Sequence, residues 1–226
     1  MNAEFIQTLW VTLKLALSTT AILIVIGLPI AYFLAYSRFK LKPLIEALVS
    51  MPLVLPPTVI GYYFLVAYSP QYWFGHWLGE TLGIKLAFSF AGVLIASVLF
   101  SLPFMVQPLQ NGLRGLSDSL REASYTLGKS KTATFFKVLL PNIKPSVITA
   151  VALTFAHCIG EFGIVIMVGG SMPGKTKVAS IAIYDEVQAM NLGTANRYAF
   201  VLFAISFVML TIIYSVNKKH NTWEMI

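Results

Sequence analysis

The chain has 226 residues, of which 57% are hydrophobic and only 11% charged, and its net charge is +7. A soluble domain of this size carries roughly 25% charged residues, so the composition excludes an ordinary water-soluble globule and points to an integral membrane protein. The basic excess does not read as a nucleic-acid surface, because the lysines and arginines collect in particular loops and form no basic groove interleaved with aromatics.

Five apolar segments follow one another along the chain. Residues 15–36 carry no charge over 22 positions, a length of ~33 Å as a helix, slightly more than a bilayer core. This first segment is too long, and too poor in a small-residue cleavage site, for a removable leader, so it reads as a signal anchor. Residues 47–68 are also uncharged but are interrupted by Pro52, Pro56 and Pro57. Residues 86–109 contain Pro103 and Pro108, residues 145–168 carry Glu161, and residues 198–216 form the fifth segment. The expected spans lie at about 12–37, 46–69, 86–110, 145–168 and 197–217, in one transmembrane domain covering 1–226, with a polar loop at 111–144.

Basic residues give an orientation. With the N-terminus outside, the inner loops hold Arg38, Lys40, Lys42, Arg114, Arg121, Lys129, Lys131, Lys137, Lys144, Lys218 and Lys219. The outer side then holds only Lys14, Lys85, Lys175, Lys177 and Arg197. Positive residues favour the inside, so the expectation is N-out, C-in, with residues 111–144 in the cytoplasm.

Within the spans, Gly27 and Pro29 are expected to bend the first helix. Pro52 and the pair Pro56-Pro57 are expected to break the second, freeing backbone groups that need protein or a water-filled cavity around them. Such a break reads either as a pathway, with Pro56, Pro57 and Thr58 as its candidates, or as a kink in a packed bundle. The aromatics Tyr72, Trp73, Phe74 and Trp77 of loop 69–85 suit an interfacial belt. In loop 169–197, residues 178–190 are expected to form a short helix that either meets the vestibule or an external protein, or only joins two spans.

The segment 120–141 is polar, basic and helix-prone between two apolar stretches. Ser119 and Glu122 fit a capping box, Gly128 fits a left-handed helix end, and Ser130 fits a second cap. The second helix would hold Phe135, Phe136, Leu139 and Leu140 and end at Pro141. Two short helices about a glycine corner result, either an ordinary amphipathic connector or a docking element.

The order Glu122-Ala123, then Gly128, then the aromatic and aliphatic run to Pro141 resembles the Glu-Ala-Ala loop of ABC-importer permeases, with Ser124 in place of the third residue. The run Met51-Pro52-Leu53-Val54-Leu55-Pro56-Pro57-Thr58-Val59-Ile60-Gly61-Tyr62 resembles the second span of molybdate permease subunits. Gly160-Glu161-Phe162-Gly163, followed by Met172-Pro173-Gly174-Lys175-Thr176, resembles their fourth span and outer loop, and Gly27-Leu28-Pro29 matches their first span. Sulfate permeases share parts of this pattern but are usually longer, with an additional span.

The resemblance implies an all-α, polytopic helical bundle of five transmembrane helices in a cell inner (plasma) membrane, with the ABC-importer permease fold and a cytoplasmic coupling helix. It implies translocation of molybdate by alternating access, a homodimer with a second copy of the chain, two copies of a separate ATP-binding subunit and an external oxyanion-binding protein. Glu122, Ala123, Ser124, Leu127 and Gly128 would make the ATPase contact. The alternatives are tungstate or sulfate/thiosulfate as cargo, or an ATPase-independent channel or secondary carrier.

Glu161 is the only carboxylate within the five apolar segments. A charge at a helix centre costs about 2.5–3.5 kcal/mol on insertion scales, and His157, four residues earlier, is its nearest local partner. A bare carboxylate would repel an oxyanion, so Glu161 is expected to serve structurally, hydrogen-bonding a neighbouring helix that Gly160 and Gly163 let approach. Neutral donors would line the path instead: the hydroxyls of Thr58 or Ser171, or amides freed at Pro56-Pro57.

Residues 169–176, Gly-Gly-Ser-Met-Pro-Gly-Lys-Thr, satisfy the P-loop pattern but lack its strand-to-helix setting. A type II turn at Pro173-Gly174 explains them better. Cys158 reads as a small buried apolar residue. The three histidines lie far apart, so no catalytic set, metal site or cofactor is expected, and no nucleic-acid partner.

Overall fold

The computed structural model describes residues 3–221, with side chains through Ser215, so the side chains of Lys218, Lys219 and His220 lie outside it. Helix α1 (Ala3–Tyr36) continues through Pro29. Its buried positions, among them Thr8, Thr12, Leu15, Thr19, Leu23, Gly27, Ala31 and Leu34, recur every three to four residues and form one stripe. That stripe meets α5 (Phe90–Arg114), which starts where the Ser89 hydroxyl accepts the Gly92 N–H at 3.1 Å. A Cβ on Gly27 would stand 2.7 Å from Met105 Cγ, so α5 closes on bare backbone there.

The second expected span is more than kinked. Helix α2 (Lys42–Ser50) and the 3₁₀ turn Met51–Leu53 meet α3 (Pro57–Tyr68) at 105°. Proline forces the residue before it out of the helical region: Pro56 sits at φ −56°, ψ 136°, and Pro57 opens α3 where a missing N–H costs nothing. The aromatic loop that follows is itself helical, α4 (Trp73–Leu82), ending at left-handed Gly83.

Beyond α5 come α6 (Asp118–Thr126), α7 (Lys131–Thr134), one π-helical turn (Phe135–Leu139) and α8 (Leu140–Asn142). The chain then turns 78° into α9 (Lys144–Gly160). The fourth expected span is also divided: α9 stops at Glu161, which is extended at φ −69°, ψ 129°, and α10 (Gly163–Gly169) continues beyond. Glu161 is therefore at a break between helices and not within one continuous helix. Helices α11 (Ala179–Gln188) and α12 (Leu192–Asn221) complete the chain.

Among the described residues every regular element is helical. Helices α1, α5 and α12 are long and apolar enough to cross a bilayer, and five spans result if each sharply bent pair, α2–α3 and α7–α9, counts as one. Helices α1, α5 and α9 form the centre, with α10 and α3 on one flank and α11 and α12 on another. One apolar cluster holds Leu15, Val93, Phe100, Ile164 and Val168; a second, toward the 111–144 end, holds Leu23, Leu34, Val106, Leu113, Leu139 and Ile143. Over its described side chains, 192–215, α12 is mostly exposed, including Phe200, Phe203 and Phe207, as a helix facing acyl chains should be.

Candidate functional site

The polar connection between α5 and α9 is built as a corner. Helix α6 is capped by Ser117, whose Oγ accepts the Ser119 N–H at 3.3 Å. The expected capping box at Ser119 is thus displaced by two residues: Ser119 lies inside the helix, and Asp118 supplies the acidic group of its first turn. At the far end Gly128 holds φ +76°. Its N–H donates to Tyr125 O at 2.9 Å and the Lys129 N–H donates to Ser124 O at 3.1 Å, the paired bonds of a Schellman end. Ser130 then caps α7, its Oγ accepting the Ala133 N–H at 3.2 Å.

Pro141 does not end the second helix. The π turn precedes it, α8 runs on to Asn142, and the chain bends at Ile143. The Asn142 side chain donates to Val138 O at 2.7 Å and supports this irregular stretch.

Two contacts fix the angle of the corner. The hydroxyls of Ser124 and Thr134, both buried, meet at 2.9 Å across it. Ser124, the departure from the Glu-Ala-Ala pattern, is thus the residue that ties α6 to α7. The Arg121 guanidinium lies 4.5 Å from the centre of the Tyr36 ring, pairs with Asp118 at 2.9 Å, and so joins α6 to the end of α1. Tyr36 in turn donates its hydroxyl to Leu113 O at 2.9 Å, and Tyr32 meets Phe135 edge-on at 5.2 Å. A cleft of about 520 Å³ lies between these groups, bordered by Tyr32, Tyr36, Arg121, Glu122, Tyr125 and Lys131.

What remains outward is the surface of α6 and its end. Glu122, Ala123 and Gly128 are exposed, and Leu127 is 79% exposed on a polar segment. The capped corner thus displays an apolar side chain to its surroundings. Tyr36, Arg121 and Thr134 were not foreseen in this role. Ser117-Asp118 was the readable signal for the true cap, whereas the Tyr36–Arg121 stack spans too much sequence to be read from it.

The three pathway candidates, Pro56, Pro57 and Thr58, lie together and exposed at the α2–α3 break. Their neighbour across the bundle is Gly163: a Cβ there would stand 2.7 Å from Pro57 Cβ, and one on Gly61 would stand 2.7 Å from Met167 Cβ. These bare positions let α3 and α10 pack backbone to backbone. Gly160 has nothing within 4 Å of its would-be Cβ, so the close approach falls at Gly163 and Gly61.

Glu161 is buried, its backbone carbonyl accepts the Ser180 hydroxyl at 2.6 Å, and among the described residues no donor stands at hydrogen-bonding distance and angle from either carboxyl oxygen. His157 instead stacks on Phe104, ring centres 3.9 Å apart. Ser171 is likewise engaged: its hydroxyl donates to Asp185 at 2.6 Å.

The P-loop look-alike is a closed turn. Met172 O accepts the Lys175 N–H at 3.1 Å, Gly174 holds φ +71°, and buried Thr176 donates its hydroxyl to Gly169 O at 2.7 Å. The hydroxyl that would ligate Mg²⁺ in a true P-loop is spent on the loop itself. Next to it, Lys177 pairs with Glu4 at 3.2 Å and Asp185 at 3.5 Å. Burial works to lower the Lys177 pKa, but these partners outweigh it and hold the ammonium above the ordinary lysine value.

A bundle of apolar helices with two broken flanking helices and an exposed polar corner at one end is the architecture of a polytopic helical membrane protein. A similar fold occurs in a chain of the MetNI methionine ABC transporter in an inward-facing conformation, with a TM-score of 0.70 at 18% identity, covering 96% of this chain and 99% of that one. The chain belongs to the family of binding-protein-dependent transport system inner membrane components, whose family model matches residues 27–220. It is 46% identical to the molybdenum transport system permease protein ModB of Azotobacter vinelandii, over 92% of both chains. It is 33% identical to the sulfate transport system permease protein CysT of Escherichia coli K12, over 97% of this chain and 78% of that one. The chain is accordingly a transport permease component and not an enzyme.

Proposed function

We propose that this chain is the molybdate-translocating subunit of an ABC importer, working as a homodimer with two copies of a separate ATPase and an external oxyanion-binding protein. The observation that carries the coupling role is the corner at Gly128, which presents Glu122, Ala123 and Leu127 outward while the buried Ser124–Thr134 hydrogen bond holds its angle. In the N-out, C-in arrangement favoured by the basic residues, this corner lies in the cytoplasm of a bacterial-type inner membrane, where an ATPase can reach it. Closure of the ATPase pair draws the two corners together, and the Arg121–Tyr36 and Ser124–Thr134 contacts carry that movement into α1 and α9. Opening outward then proceeds around the breaks at Pro56-Pro57 and Glu161-Phe162.

Molybdate as cargo rests on the similarity to ModB over nearly the whole chain. Sulfate is the second reading, favoured by the similarity to CysT. ATP-driven uptake of labelled molybdate into proteoliposomes containing the permease, its ATPase and its binding protein separates the two. Sulfate at equal concentration should leave molybdate uptake nearly unchanged; dominant competition by sulfate reverses the cargo assignment.

A further inference from the structure

At the end of the bundle away from residues 111–144, Lys14, Lys175 and Ser89 line one cleft of about 370 Å³, walled by Trp10, Phe88 and Phe90. None of these side chains takes part in the coupling corner or in either helix break. Neither lysine has a carboxylate partner among the described residues: Glu4 and Asp185 are committed to Lys177, and Glu80 to His76. The Lys14 ammonium is held 4.6 Å from the centre of the Phe90 ring, which fixes its direction without neutralising it. Phe88 forms the facing rim in a left-handed conformation, φ +57°, with its N–H bonded to Val168 O at 2.9 Å. A bulky residue held there is strained, and such strain collects where a side chain must be aimed.

The depth of the cleft identifies its occupant. From Lys14 to Tyr36 α1 rises ~33 Å, the thickness of a hydrocarbon core with a small excess. With the charged residues after Tyr36 at one surface, Lys14 and Trp10 stand at the headgroup level of the other. From Lys14 toward the membrane centre, Leu17, Ala21 and Val25 follow at helical spacing, all exposed, Leu17 at 57% and Val25 at 71%. Two unpaired cations at headgroup depth above a continuous exposed apolar stripe match the two halves of an anionic lipid.

We propose that this cleft seats the phosphate of an anionic phospholipid between Lys14 and Lys175, with an acyl chain along Leu17, Ala21 and Val25. The assignment depends on membrane insertion but not on the cargo or on the ATPase contact. A bound lipid here pins the Met172–Thr176 turn to α1, since Gly174 already packs against Gln7.

The test uses the full chain, reconstituted in phosphatidylcholine vesicles carrying a minor fraction of phosphatidylglycerol, then extracted and examined by native mass spectrometry. Phosphatidylglycerol should be retained above its bulk fraction. Retention should fall about fivefold for each lysine removed in Lys14→Gln and Lys175→Gln, and the pair Lys14→Arg, Lys175→Arg should keep it. If the glutamine variants do not insert, the wild-type chain decides alone: a phosphatidylglycerol with a photoreactive headgroup should label the segments 10–14 and 174–175. Unchanged retention in the double glutamine variant, or labelling confined to other segments, overturns the proposal. Displacement of the bound lipid by millimolar inorganic phosphate also overturns it and assigns the cleft to a free oxyanion.

Discussion

Gly128 holds φ +76° with no atom within 4 Å of where a Cβ would stand, so a substitution there meets backbone strain and no steric clash. The left-handed region costs an L-residue about 1–2 kcal/mol. Asparagine tolerates it best, and proline is forbidden it and also loses the N–H bonded to Tyr125. ATP-driven uptake should therefore fall in the order Gly128→Asn, Gly128→Ala, Gly128→Pro, with membrane insertion intact throughout. An equal loss in all three would mean that the side chain, not the backbone, matters. Ser124 offers a second test at this scale. Ser124→Ala leaves the buried Thr134 hydroxyl without its partner, at a cost of about 1–3 kcal/mol. Adding Thr134→Val should cost little more, a coupling that thermal melts of the solubilised single and double variants measure. Simple additivity would mean that the two hydroxyls do not support one another.

The broken flank and the coupling corner are matters of whole elements. Gly163→Ala places a Cβ 2.7 Å from Pro57 and should destabilise by about 1–3 kcal/mol through overpacking of α10 on α3. Gly160→Ala, one residue before Glu161 and in open space, should change the melting temperature little; the reverse ranking would misplace the helix contact. At the other end Arg121→Ala should lower uptake while the ATPase still co-purifies, because Glu122, Ala123 and Leu127 keep their surface. Tyr36→Phe, which keeps the ring and loses only the bond to Leu113, should be milder. Loss of co-purification in Arg121→Ala would place Arg121 in the docking surface itself. Much of this organisation was legible in the sequence, because glycine and proline act locally: the left-handed corner at Gly128, the turn at Pro173-Gly174 and the interruption at Pro56-Pro57 each follow from one residue's backbone. The 105° angle at Pro56, the break at Glu161 and the run of helix past Pro141 were not legible. These depend on what packs alongside, α10 against α3 and the π turn against α1, and those neighbours are distant in sequence. Ser117 took the cap in place of Ser119, and both serines suit the position by residue type.

At the scale of the whole molecule, the chain offers a path but no engine. The one nucleotide-like motif is consumed in its own hydrogen bonds at Thr176, and the family places the chain among transport components that act with other proteins. Under the proposed function, force enters from outside, through the exposed corner at the charged end. The most direct measurement is labelled molybdate uptake into proteoliposomes holding the wild-type chain or Gly128→Pro, each with and without the ATPase subunit, with binding protein and ATP supplied. The prediction is uptake only for the wild-type chain with its ATPase, and loss of both uptake and ATPase association in the variant. Uptake by the chain alone, or undiminished ATP-driven uptake by Gly128→Pro, would contradict the role assigned to the corner.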